Sequence, residues 1–165
     1  MNHYKPLKVT CLGIAGVGTA LQAMRLPHPQ TRESTTDEDF ALASRLVRAG
    51  DDHAKAMRGI MAWYKIQCQV GWLIEYEQYE IGVTRLSSSS SMHDELKLLR
   101  GEALAERKQR DLADKVYTLI DCASYQALRR MYLARRNHRH PDWQVFCTFI
   151  ESLPHFHHLI CPEEK

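Results

Sequence analysis

No stretch of this 165-residue chain approaches the roughly 18 consecutive apolar residues that a membrane-spanning helix needs. Its first residues, MNHYKPLKV, lack the charged, then apolar, then small-residue order of a secretory signal. Cysteine is sparse: Cys11, Cys68, Cys122, Cys147 and Cys161 are odd in number, widely spaced and contain no Cys-x-x-Cys. That pattern argues against a disulfide framework and against a zinc site, so we expect no metal and a reducing, cytoplasmic setting. Net charge is nearly absent as well, at +2, so no global field exists and anion binding must come from local clustering. The nucleotide fingerprints are missing. Gly13-Ile-Ala-Gly16-Val-Gly18 sits between an expected strand and an expected helix, but its spacing is not Gly-x-Gly-x-x-Gly. A tight turn explains it better. No phosphate loop, Ser-His-Asp order or metal-ligand spacing appears.

What is present is ordinary for a soluble domain, with 44% hydrophobic and 25% charged residues, enough for one core in a single domain spanning 1–165. Leu7–Ile14 reads as a buried strand and Thr19–Arg25 as a helix. Thr35-x-x-Glu38 reads as a capping box opening a helix over Asp37–Ala49, with Gly50 ending it. Asp51-Asp52 are expected to cap a short helix reaching Met57. Ile60–Val70 alternates, with Ile60, Ala62, Tyr64, Ile66 and Cys68 on one face and Lys65, Gln67 and Gln69 on the other, which is a half-buried strand. The stretch GWLIEYEQYEIG reads as a helix. His93–Lys115 reads as a solvated, charge-alternating helix weakened at Gly101, and Val116–Ala123 as the start of the next helix or a connector.

Two polar segments stand out. Val83–His93 holds five consecutive serines, Ser87, Ser88, Ser89, Ser90 and Ser91, flanked by Arg85 and His93. Either this is a linker, or hydroxyls, a guanidinium and an imidazole converge on a phosphate. Ser91 also suits the N-cap of the following helix. The second segment packs five arginines and two histidines into Arg129–His140. Ser124 is a credible N-cap for a helix carrying Tyr125, Leu128 and Met131. Pro141 at N1 then opens another, whose buried face is Trp143, Phe146, Cys147 and Ile150. Arg136–His140 is thus the turn between two helices, and Arg129, Arg136, His138 and His140 are candidate phosphate ligands. Tyr79 and Trp143 are candidates for stacking on a base.

Taken in order, these segments resemble the flavin-dependent thymidylate synthases, a homotetrameric family with a sheet-plus-helices fold. That family closes on Arg, three residues, His, a small residue, Gln, an aromatic, Glu, Ile and Arg. Here Arg136, His140, Pro141, Asp142, Trp143, Gln144, Val145 and Phe146 follow it without a gap. The resemblance implies an α+β fold with a small sheet, a helix-rich C-terminal half, a homo-oligomer and a nucleotide pocket formed between subunits. It also brings FAD into view. Yet the family's Arg-His-Arg signature, which holds flavin and the dUMP phosphate, is answered here by Glu75, Glu77, Gln78, Tyr79 and Glu80. Acids there repel a pyrophosphate. The closing Arg is Phe146. No resident cofactor is therefore expected.

Three functions follow from this reading. The first is binding of a nucleotide or nucleotide derivative without methylation chemistry, in a sequestering or regulatory role. The second is an active pyrimidine-nucleotide-modifying enzyme, with His140, His93 or Glu80 as base. The third, nucleic-acid binding through Arg129–Arg139, is opposed by the low net charge and by the acids at 75–80 and 94–114.

Overall fold

The structure, a computed structural model, describes residues 4–27, 34–89 and 98–162, and of 110–114 only the backbone path. Strand β1 (Lys8–Ala15) leads to α1 (Val17–Arg25) and α2 (Asp37–Ala49), then a 3-10 turn (Lys55–Gly59) and β2 (Met61–Gln69). Helix α3 (Val70–Tyr76) and a second 3-10 turn (Glu77–Tyr79) precede β3 (Val83–Ser88). Helix α4 (Gly101–Asp114) is followed by β4 (Val116–Ser124), α5 (Tyr125–Arg135), α6 (Pro141–Glu151) and the short α7 (Phe156–Leu159). The expected α+β architecture is found: four antiparallel strands in the order β1-β2-β4-β3, packed with helices.

Directly opposed residues of antiparallel strands share a face, and here the faces differ. Ala62, Tyr64 and Ile66 oppose Ala123, Asp121 and Leu119, and all six are buried on the helical side. The alternation that predicted β2 survives in its burial. Behind the sheet, Tyr64, Trp72, Tyr76, Trp143, Phe146 and Phe149 form one aromatic cluster, with ring centroids 4.9–6.0 Å apart in its contacting pairs. Such offset and edge-on pairs add to the burial term. Phe146 is fully buried there.

Several expectations need correction. Val116–Ser124 is neither helix nor connector. It is the inner strand β4, paired on both sides, so its apolar run carries no alternation. Val83–Ser88 is a strand and not a linker. The capping box is shifted by one: Thr36 and Asp39 bond reciprocally, with the Thr36 N–H donating to Asp39 Oδ2 at 2.8 Å. After Gly50 comes a turn and then the 3-10 turn, where a helix was expected. Gly101 opens α4, with φ 56°, and does not interrupt its middle. Ser90, Ser91 and His93 lie outside the described residues.

Ser124 does cap α5, accepting the Ala127 N–H at 3.2 Å. Pro141 does stand at N1 of α6, whose N-cap His140 accepts the Asp142 N–H at Nδ1 (3.2 Å).

Candidate functional site

Among the described residues the candidates do not converge within one chain. Arg85 stands opposite Asp121 of β4, where its Nε donates to Asp121 Oδ1 at 3.1 Å and its Nη1 to Glu77 Oε1 at 2.6 Å. Asp121 is fully buried and also accepts the Tyr76 hydroxyl at 3.0 Å, which pairs with Tyr64 at 2.8 Å. These carboxylates raise the Arg85 pKa against its burial, and burial pushes the Tyr64 and Tyr76 hydroxyls upward. Arg85 is thus a cross-link between β3, β4 and the second 3-10 turn. Ser87 and Ser88 pair with Ile120 and Leu119, and Ser89 extends the ladder through the Thr118 N–H and carbonyl at 3.0 and 2.7 Å.

Arg129 turns inward. Its Nη1 donates to the Ile160 carbonyl at 2.6 Å and its Nη2 to the Val47 carbonyl at 3.1 Å, joining the end of α2 to the C-terminal segment. Arg136 is exposed, with Nη1 3.9 Å from Cys161 Sγ. His138 accepts the His140 N–H at Nδ1 (3.2 Å), so both imidazoles brace the α5–α6 turn.

Tyr79 and Trp143 do come together, edge to face at 5.7 Å, but around a protein cation. Arg135, missed in the sequence reading, sits 4.7 Å from the Trp143 ring and 5.4 Å from that of Tyr79, and donates to the Tyr79 hydroxyl at 2.7 Å. Trp143 is fully buried and donates its indole N–H to Glu75 Oε2 at 2.8 Å. That hydrogen bond, with Arg135 beside it, holds the Glu75 carboxyl below its usual range. No ring face of Trp143 is left for a base.

A cavity appears elsewhere, where β2 and β3 begin and β4 gives way to α5. Its volume is about 340 Å³, within the range of small-ligand sites. Arg58, Thr84, Ser124, Gln126 and Arg130 supply its polar wall, and Met61, Ile81 and Ala127 its apolar one. Gly82 completes it: at φ 85° a β-carbon there would fall 2.9 Å from the Ala127 side chain, closing the space between β3 and α5. Two arginines, Arg58 and Arg130, line this one space, a residue type suited to an anion. Spacing gave no warning, since the lining comes from residues 58 to 130.

All five cysteines are free. Burial pushes the Cys68 thiol up to about 12 and that of Cys147 to about 11, so neither is a nucleophile near neutral pH. Among the described residues no three His, Cys, Asp or Glu side chains gather to hold a metal, and no helix is long and apolar enough to cross a membrane.

No family model and no curated protein matches the sequence. Solved structures do match. A flavin-dependent thymidylate synthase, ThyX, from Helicobacter pylori, complexed with FAD and dUMP, superposes with a TM-score of 0.70 over 93% of this chain and 97% of that one, at 16% identity. A second structure of that enzyme with FAD and dUMP gives 0.70 over 96% and 100%, again at 16% identity. The resemblance read from the sequence is therefore a remote one, borne out in the fold.

Proposed function

We propose that this protein binds a nucleotide or nucleotide-derived ligand, its phosphate held in the cavity at the start of α5, without the methylation chemistry of the enzymes it resembles. The observation that carries this reading is the cavity itself, whose lining combines two arginines, Arg58 and Arg130, with apolar side chains, Met61 and Ile81 among them. A phosphate suits the first and a sugar or base the second. The fold adds support, because two solved structures that share it hold dUMP. The role is sequestering or regulatory, in the cytoplasm.

Arg136 lies about 15 Å along α5 from Gln126, by helix rise, and Ser88 about 13 Å along β3 from Thr84, by strand rise. They reach a ligand only from a neighbouring subunit, so this part of the proposal requires a homo-oligomer, a tetramer by resemblance. Nucleoside monophosphates at about a hundred times Kd stabilise by about 2.7 kcal/mol, a rise in Tm of roughly 5–10 °C for this size. Arg130→Ala abolishes that rise. Arg136→Ala abolishes it as well if the pocket is completed across subunits, and leaves it intact if one chain suffices. If no nucleotide shifts melting of the wild type, the reading fails.

FAD fits poorly. The segment aligned with the family's flavin signature presents Glu75 and Glu77, and the arginines that approach it are already paired with them, Arg135 with Glu75 and Arg85 with Glu77. Among the described residues, the two arginines that approach it are thus not free to meet a diphosphate. We expect a protein purified without a visible flavin band, and no change in melting on adding FAD. A yellow protein would overturn this part of the proposal.

A further inference from the structure

The polar wall of the cavity is held in place by a residue outside its lining. Asp51 lies in the turn that follows α2. Its Oδ2 accepts Arg130 Nε at 2.6 Å, and its carbonyl accepts Gln126 Nε2 at 3.1 Å. Gln126 Oε1 in turn accepts Arg58 Nε at 2.7 Å. One residue thus anchors Arg130 directly and Arg58 through Gln126, and ties α2's exit to the start of α5 and to the 3-10 turn before β2. Both guanidiniums are gripped at Nε. The terminal nitrogens, which form the fork that meets phosphate oxygens in pairs, have no hydrogen-bond partner among the described residues. The Asp51 and Arg130 side chains are 34% and 43% exposed, so the pair adds little to stability. Its effect is orientation: a long side chain that is otherwise free in solvent is fixed over the cavity before any ligand arrives.

We propose that Asp51 is the positioning residue of this anion pocket, pre-orienting Arg130 and, through Gln126, Arg58 for a phosphate monoester. This rests on the pocket reading above. Geometry and charge predict different outcomes for two variants. Asp51→Ala removes the acceptor for Arg130 Nε and frees that side chain. Asp51→Asn keeps an oxygen that accepts from Nε and removes a negative charge that repels the ligand.

The test is calorimetric titration of the full chain with inorganic phosphate and with dUMP, for wild type, Asp51→Ala, Asp51→Asn and Arg130→Ala, alongside ligand-free melting. We expect Asp51→Ala to weaken both ligands about tenfold, the worth of one charge-assisted hydrogen bond. Asp51→Asn should bind as well as wild type or better. Arg130→Ala should be the weakest and show the shallowest salt dependence. Ligand-free melting of the Asp51 variants should stay close to wild type, which separates positioning from a role in the fold. Wild-type affinity in Asp51→Ala overturns the proposal, as does an Asp51→Asn variant as weak as Asp51→Ala. If wild type binds neither phosphate nor dUMP, the pocket reading itself has failed and this inference falls with it.

Discussion

Replacing Arg85 by methionine will destabilise the protein by about 3–5 kcal/mol at neutral pH, the usual result of stranding one partner of a buried ion pair. The stranded partner is Asp121. It is fully buried, and without Arg85 it keeps only the Tyr76 hydroxyl, 3.0 Å away. Asp121→Asn should do less harm, because Arg85 retains Glu77 at 2.6 Å and its side chain is one-third exposed. Replacing both partners by leucine should recover most of the loss. Urea unfolding of the four proteins decides the matter. An Arg85→Met variant of wild-type stability would mean that Arg85 is a free ligand arm, as the sequence alone suggested.

Gly16→Ala is expected to cost on the order of 3 kcal/mol, combining a left-handed backbone position with overpacking. Gly16 has φ 95°, and an added β-carbon would stand 2.0 Å from the Gly59 carbonyl oxygen. That oxygen is backbone and cannot swing away. The close approach lets the N-cap of α1 abut the 3-10 turn that launches β2. Nearby Gly18, inside α1, has no heavy atom within 4 Å of an added β-carbon. Gly18→Ala should be neutral or slightly stabilising. By calorimetry the first should melt roughly 6–12 °C below wild type; equal melting of the two variants would refute this account of the turn.

The same turn shows what the sequence could and could not convey. Its glycines were visible, and the absence of a dinucleotide fingerprint was enough to read them as backbone geometry. Strand β2 was legible because one of its faces is buried, leaving an alternating pattern, and α5 and α6 because Ser124 and Pro141 mark their starts. Strand β4 was not, since an inner strand's apolar run looks like a buried helix. The candidate site fared worse for a related reason. Arg129 and Arg130 are neighbours in sequence, but a helix turns about 100° per residue, sending one to the carbonyls of Val47 and Ile160 and the other to Asp51 and the cavity. Residue type announced an anion or acceptor, while direction depended on Asp51 and Asp121, 79 and 36 residues away from their arginines along the chain.

The start of α6, opened by Pro141, also sets an order of events. Asp142, at the start of α6, is the carboxylate that orders the approach to β1. It accepts the Leu7 N–H at 2.9 Å and the Tyr4 hydroxyl at 2.6 Å across 135 and 138 residues of sequence. The buried Leu7 amide finds this partner only once α6 exists. During synthesis this link, unlike the pairing of β1 with β2, must therefore wait until nearly the whole described chain has been made. Pairings this remote in sequence make folding slow and leave apolar strands exposed meanwhile. The opening of the chain is among the last parts to be secured.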